Sequence, residues 1–334
     1  MHRLRALCTN QHVFPEEVLQ WIAKENLWNL WIPKAYGGLE MPLSKGLEKL
    51  RSLAEMDGSL GWTVTLCSGA NFFLGNLQKD VADEMFLNPK TPVCFGGSGG
   101  VFGTAERKDN GYIISGTWKY ATGAPYLTHF TLNAKIMEEG KELKDEKGDW
   151  IIRSFIINKK DVEIMEDWKA MGLKATATHS FQVKEKWVDE KFSFIYNKQF
   201  HDYPIFKIDF SVFADVTLWV NYIGMAAHFY EEAHQVLASK AALNPLKTEI
   251  TEADAKISQY ALQIEETIYS GKPLPETWVG VIHKSASDSV KKLSEAIIKI
   301  YPLLGIKGCS ENQMLNHIFR DYFTATQHHI FSRK

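Results

Sequence analysis

Near the C terminus, Arg320 and Asp321 are followed by Thr324, Thr326, Gln327, His328 and His329, a polar group set into an apolar segment. From Gln313 the residues Met314, Leu315, Ile318, Phe319, Tyr322, Phe323, Ala325 and Ile330 recur at helical spacing, which predicts an amphipathic helix. At roughly 100° per residue, Asp321, Thr324 and His328 share one stripe of that helix. A carboxylate one to two turns before an imidazole can orient the ring or hold its proton, as a general acid or base near neutral pH requires. His328 and His329 project about 100° apart, so they are not expected to share a metal ion. A solvated terminal helix would carry the same side chains, and from these residues alone both readings stand.

Three other segments offer chemistry. Gly96, Gly97, Gly99 and Gly100 surround Ser98, but a dinucleotide-binding loop must sit between a strand and a helix, and here a hairpin pattern follows. The cluster is therefore expected to be a loop whose backbone approaches a ligand or another strand closely. In Gly116-Thr117-Trp118-Lys119-Tyr120-Ala121-Thr122-Gly123, alternating aromatics run into a hydroxyl and a glycine where a strand ends. A ring could be stacked and a hydroxyl offered there, although an ordinary strand end would look the same. Asp167 to Leu173, with Thr176, Thr178 and His179, is a hydroxyl-rich loop suited either to a polar ligand edge or to turn and cap bonds.

The elements that must position these residues fall into three runs. To about Phe86 the pattern is helical, with Phe14, Val18, Ile22 and Leu27 on one face and Leu47, Leu50, Leu53, Ala54 and Met56 on another. From Pro92 it turns to strands: a hairpin about Asp109-Asn110-Gly111 with Tyr112, Ile114, Trp118 and Tyr120 alternating, then runs at 129–136, 150–157, 162–165 and 180–188. Beyond Pro204 helical periodicity returns in four blocks near 210–240, 251–270, 277–300 and 311–331, broken by Pro245, Gly271 to Pro275 and Gly305 to Gly308. The expected units are 1–91 helical, 92–203 β and 204–334 a helical bundle, an α+β chain.

Composition narrows the ligand class. A chain of 334 residues, 45% hydrophobic and 23% charged, can bury a substantial core. A net charge of -2 without basic runs gives no reason to expect nucleic acid or an anionic membrane as partner, which leaves small molecules. Cys8, Cys67, Cys94 and Cys309 show no paired or metal-ligand spacing, so a reducing cytoplasm and no metal are expected. No secretory leader and no long apolar span are read in the sequence.

Taken in register, these segments resemble the acyl-CoA dehydrogenase fold superfamily from roughly Val13 onward. Ile32-Pro33-Lys34-Ala35-Tyr36-Gly37-Gly38-Leu39 is similar to the family's early P-x-x-Y/F-G-G turn, and Asp57-Gly58-Ser59-Leu60-Gly61-Trp62 to its second helix signature. Gly111 to Gly123 resembles the central flavin-facing strand, Trp168 to Val188 the W-x-x-x-G-L-x-x-T-x-S/T-H stretch, and Leu304 to His328 the final helix pair. The resemblance implies a helical N-terminal domain, a central β-barrel-like domain and a C-terminal four-helix bundle with flavin in the cleft between them. It places Thr122 at the hydroxyl that bonds the flavin N5 region, Tyr120 against the ring, and Gly97, Gly123 and Arg320 among the cofactor-binding positions. It also implies a homo-oligomer, a dimer or tetramer.

The branch decides the chemistry. Dehydrogenases of this fold need a carboxylate to remove a proton α to a thioester, and many carry it just after an Arg-Asp pair; here no Asp or Glu follows Asp321. Arg320-Asp321-x-x-Thr324-x-x-x-His328 instead resembles the R-D/N-x-x-T-x-x-x-H of the reduced-flavin-dependent, two-component monooxygenases. That resemblance implies FAD or FMN supplied reduced by a separate flavin reductase, a small-molecule substrate, His328 as acid or base and Asp321 as its orienting partner or a packing residue. The rival readings are an acyl-CoA dehydrogenase or related oxidase, with Glu265 or Glu266 as its base, and a scaffold that has lost flavin chemistry. Lys240 stands where the family commonly has an arginine for the cofactor pyrophosphate, which makes FMN or a shallower site an expectation too.

Overall fold

The structure, a computed structural model, describes residues 2–332. Helices α1 (His2–Cys8), α2 (Glu16–Lys24), α3 (Leu43–Met56), α4 (Gly58–Asn71) and α5 (Lys79–Phe86) open the chain. α3 buries Leu43, Leu47, Leu50 and Ala54, a stripe repeating every three or four residues, and leaves Lys45 and Glu48 exposed. α4 behaves differently, because every residue in it except Leu66 and Gly69 is buried. A helix without a polar face belongs inside a core, and the carboxylate of Asp57 caps it by accepting the Leu60 N–H at 2.9 Å.

The middle of the chain is one sheet of β1 (Phe95–Lys108), β2 (Gly111–Ala121), β3 (His129–Glu138), β4 (Lys141–Glu142), β5 (Ile152–Asn158), β6 (Glu163–Met165), β7 (His179–Asp189) and β8 (Ser193–Phe194). Its order is β6-β7-β2-β1-β3-β5-β8, with β4 on β3. The hairpin expected at Asp109-Asn110-Gly111 joins β1 to β2, with Lys108 opposite Gly111. The glycine cluster corrects the expectation of a loop: it forms the first residues of β1, paired parallel with β3. Gly97 meets Thr131 so closely that a Cβ would lie 1.8 Å from the Thr131 carbonyl oxygen, and register shifts between Ser98 and Gly103 mark a bulge. Residues without side chains show no alternation, which is why this strand is invisible to pattern reading.

A second irregularity aims a side chain. Tyr112, Ile114 and Trp118 alternate inward as expected, but pairing of β2 with β7 shifts between Trp118 and Ala121. Parity reverses there, so Ala121 is buried and Tyr120, expected to follow Trp118 inward, is 47% exposed.

The last third holds α6 (Phe210–Val236), α7 (Asn244–Tyr269), α8 (Thr277–Ile300), α9 (Ile306–Cys309), α10 (Met314–Ala325) and α11 (His329–Ser332). Pro245, read as a break, sits in the first turn of α7, where its missing N–H costs nothing. α6 is the central post, packed against α3, α4, α7, α8 and α10. By length and composition it could cross a bilayer, yet 83% of its most apolar window is buried in this fold. The final block is not one helix. The Tyr222 hydroxyl donates to the Ala325 carbonyl at 2.6 Å, the His328 N–H closes a turn onto the same oxygen at 2.9 Å, and the α-helix stops. His328 therefore leaves the stripe it was expected to share with Asp321.

Candidate functional site

Segments remote in sequence converge on one cavity of about 1010 Å³. α4 contributes the face of Trp62, Thr65, Leu66, Gly69, Ala70 and the following Phe73, and α6 contributes Phe210, Phe213, Ala214, Thr217 and Leu218, both at the three-and-four spacing of one helical side. The glycine start of β1, the end of β2, the loop after Trp168 and the segment from Phe323 to Ile330 complete the wall. Of the expected site residues, Gly97, Tyr120, Thr122 and His328 line this cavity. Gly123 lies behind them in a left-handed turn, its N–H donating to the Thr176 carbonyl at 2.7 Å.

Two aromatic contacts and a hydroxyl relay give the cavity its character. Tyr120 packs edge-on against Trp168, with ring centroids 5.8 Å apart. Thr122 is only 7% exposed, and its hydroxyl accepts from the Thr178 hydroxyl at 3.2 Å. Thr178 in turn lies 2.7 Å from Thr176, whose hydroxyl donates to the Leu173 carbonyl at 2.7 Å. Each hydroxyl has one proton: with Thr176 turned to Thr178 and Thr178 to Thr122, Thr122 keeps its own for an acceptor in the cavity, whereas with Thr176 on Leu173 and Thr178 on Thr176 the Thr122 proton is drawn to Thr178.

His328 stands at the opposite wall, edge-on to Trp62 with centroids 5.5 Å apart. Burial, aided by the neighbouring His329, pushes its imidazole down to about 4, so it is neutral at pH 7. The Ile330 N–H points at Nδ1 from 3.5 Å, an arrangement that assigns the ring proton to Nε2. Such a ring is a hydrogen-bond donor of low charge in an apolar wall.

Arg320 and Asp321 face elsewhere. They border a separate polar chamber of about 310 Å³ with His317, Met171, Gly172 and Lys174. Asp321, expected to orient His328, instead pairs with His317 one turn earlier, Oδ2 to Nε2 at 3.4 Å, and Asp57 reaches the same nitrogen at 3.2 Å. Burial alone would lower the His317 imidazole, but Asp321 and Asp57 outweigh it and hold it up at about 9. Burial pushes the Asp321 carboxyl up to about 6 against the pull of His317. The three donor atoms lie within 4.8 Å of one another, close enough for a metal ion, but the imidazolium already supplies the cation between the carboxylates. Sequence reasoning missed His317 and Asp57; the signal for His317 was its placement four residues before Asp321.

That polar cluster holds the loop that walls the cavity. The Leu173 N–H donates to Asp321 Oδ1 at 2.6 Å, the Gly172 N–H to the Thr324 hydroxyl at 2.9 Å, and the Arg320 guanidinium to the Met171 carbonyl at 3.2 Å. Gly172 is required for this fit, since a Cβ would lie 2.2 Å from the Arg320 carbonyl group. The motif from Arg320 to Thr324 thus fastens three successive loop residues, two of which face the cavity.

Neither rival base reaches the site. Glu265 accepts the Ser44 N–H at 2.7 Å and Glu266 is exposed on α7; neither borders the cavity. Lys240 donates to the Leu237 carbonyl at 2.8 Å and to that of His234, closing the end of α6.

Residues 212–333 match the family model described as acyl-CoA dehydrogenase, C-terminal domain. The chain is 23% identical over 339 residues to the indole-3-acetate monooxygenase of Acinetobacter baumannii, which covers 96% of this chain and 84% of the relative. It is 21% identical over 347 residues to HsaA of Mycobacterium tuberculosis, described as a flavin-dependent monooxygenase, oxygenase subunit, covering 94% and 84%. Among solved structures, XiaF from Streptomyces sp. in complex with FADH2 and glycerol superposes with a TM-score of 0.88 at 19% identity, over 98% of this chain and 88% of that one.

Proposed function

We propose that this chain, which has the acyl-CoA dehydrogenase fold and is similar along its length to flavin-dependent monooxygenases, is the oxygenase component of a two-component system. It takes reduced FAD or FMN from a separate flavin reductase and passes one oxygen atom of O2 to a small organic substrate. The observation that carries this reading is the cavity itself: Thr122 and the Tyr120–Trp168 pair on one side, a neutral His328 on the other, and no carboxylate among its described lining residues.

The residues fit a flavin. A volume of about 1010 Å³ lies at the upper end of small-molecule sites and leaves room for a tricyclic ring beside a second small molecule. Tyr120 and Trp168 would hold the ring face, the Thr122 hydroxyl its polar edge, and the backbone from Gly96 to Gly100 its rim. When bound, the reduced flavin supplies the two electrons with which O2 is activated. His328, a neutral donor through Nε2, would hydrogen-bond oxygen at the reacting position, and Trp62, Phe323 and the docked loop would exclude water around it.

Desaturation of an acyl thioester, the rival chemistry, uses a carboxylate base, and none lies among the described lining residues. We further assign the protein to the cytoplasm, to a homodimer or homotetramer, and to three folding units dividing near residues 91 and 203. The test is anaerobic: mix the protein with reduced FMN or FAD, admit O2, and follow absorbance. A long-lived spectral phase between reduced and oxidised flavin is expected. Immediate reoxidation without it, or bleaching of oxidised flavin by an acyl-CoA, would overturn the reading.

A further inference from the structure

We infer that the substrate of this site is an uncharged, flat ring compound, and that acids and amines of the same shape are excluded. The inference rests on the oxygenase reading for what happens to the substrate, but its physical basis is the wall. Among the described residues lining the cavity, Lys119 is the sole Lys, Arg, Asp or Glu, and it is exposed to solvent. An ionised group taken deeper would lose its hydration without gaining a partner, and such a loss is recovered only by a close opposite charge.

The walls offer ring faces instead. Phe73 stacks on Tyr196 with centroids 5.0 Å apart and lies 4.7 Å from Phe210, which closes one side of the cavity with aromatic surface. Trp62, whose ring meets His328, closes another. Polar lining groups that could greet a substrate are neutral: the Thr324 hydroxyl already accepts from Gly172, the Thr217 hydroxyl donates to the Phe213 and Ala214 carbonyls, and His328 is uncharged at pH 7. One or two hydrogen bonds to a hydroxyl, amide or ring N–H are available; of the lining groups that could act as a counter-ion, Lys119 and His329 are both exposed to solvent, and His328 is uncharged.

The point has force because a relative named for indole-3-acetate acts on a carboxylate. Three indoles of similar size separate charge from shape: indole-3-acetamide, indole-3-acetate and the primary amine tryptamine. Binding to the protein, alone and with oxidised flavin, is measured by tryptophan fluorescence and calorimetry at pH 8, where His328 is uncharged. The amide should bind at least about tenfold tighter than either ion, and Lys119→Met should leave that ratio unchanged. Equal or tighter binding of the acid or the amine, or no binding of the amide, would overturn the inference. Because these are equilibrium measurements, they are independent of oxygen chemistry: a preference for the amide without the spectral phase would sink only the oxygenase reading.

Discussion

Asp321 and His328, seven residues apart at the end of the chain, open onto different chambers: Asp321 holds His317 and the Leu173 N–H, whereas His328 leans on Trp62. The turn closed at Ala325 separates them. A motif with the look of an acid–base pair thus divides its work. One part holds a loop and the other meets whatever occupies the cavity.

Replacing Asp321 should therefore behave as loss of a latch. Asp321→Ala leaves the Leu173 N–H without its acceptor and one carboxylate fewer around the imidazolium, costing about 3 kcal/mol. Asp321→Asn keeps an oxygen for Leu173 and should cost about half as much. Both should weaken flavin binding while the pH dependence of turnover is retained. A shifted pH profile with an undamaged melting curve would instead place Asp321 in the chemistry.

For His328 the expectation is the reverse. His328→Ala should leave flavin affinity little changed and lower product formed per reduced flavin about 10²-fold, the lost oxygen appearing as peroxide. With the imidazole pushed down to about 4, turnover should show no inflection from this residue across neutral pH. An inflection near neutrality that disappears in the variant would show that the ring is charged in the working enzyme.

Stability should carry the titration of His317. Its imidazole is raised from 6.5 to about 9, so the stabilisation is fully present below 6.5 and is lost as pH rises through 9. Asp321, raised from 3.8 to about 6, acts in the same sense lower down: its protonated form favours the fold, fully below 3.8, and that contribution is gone above 6. The melting temperature should fall between pH 6.5 and 9, and His317→Gln should flatten that fall by an amount on the order of 2 kcal/mol. Parallel curves for the two proteins would remove the ion cluster from the account.

Gly172→Ala tests the fit of loop to helix without touching charge. The added methyl meets the Arg320 backbone, so the loop must lift, at a cost of about 2 kcal/mol or more. Limited proteolysis should then cut between Trp168 and Thr178 faster than in the parent protein, where the bonds to Asp321, Thr324 and Arg320 hold the loop. Unaltered protection would mean that the loop has another way to seat.

Much of this arrangement was legible in the residues. Helical stripes on α2, α3 and α8 and the alternation of Tyr112, Ile114 and Trp118 in β2 follow from burial of one face, and α8 spans the same residues its periodicity predicts. What could not be read was set by contacts rather than pattern. The strand at Gly96 to Gly100 has no side chains to alternate, and Pro245 marks a helix start and a helix break equally well. The end of α10 at Ala325 depends on a hydroxyl from Tyr222, more than a hundred residues earlier in the chain. The site inherits those limits: Thr122, Tyr120 and His328 were found by type and motif, while the partner of Asp321 required the turn to be seen.

The burial of α4 on almost every side bears on how this protein could change its ligand over evolutionary time. Trp62 and Phe73 belong at once to the cavity wall and to the core, so an exchange there risks the fold along with the preference. In the loop from Trp168 to Leu173 and the segment from Gln327 to Ile330, the lining residues Met171, Gln327 and His329 carry no such double duty, being exposed. New specificities should accumulate first in those two stretches, with the helical wall remaining the conservative half of the pocket.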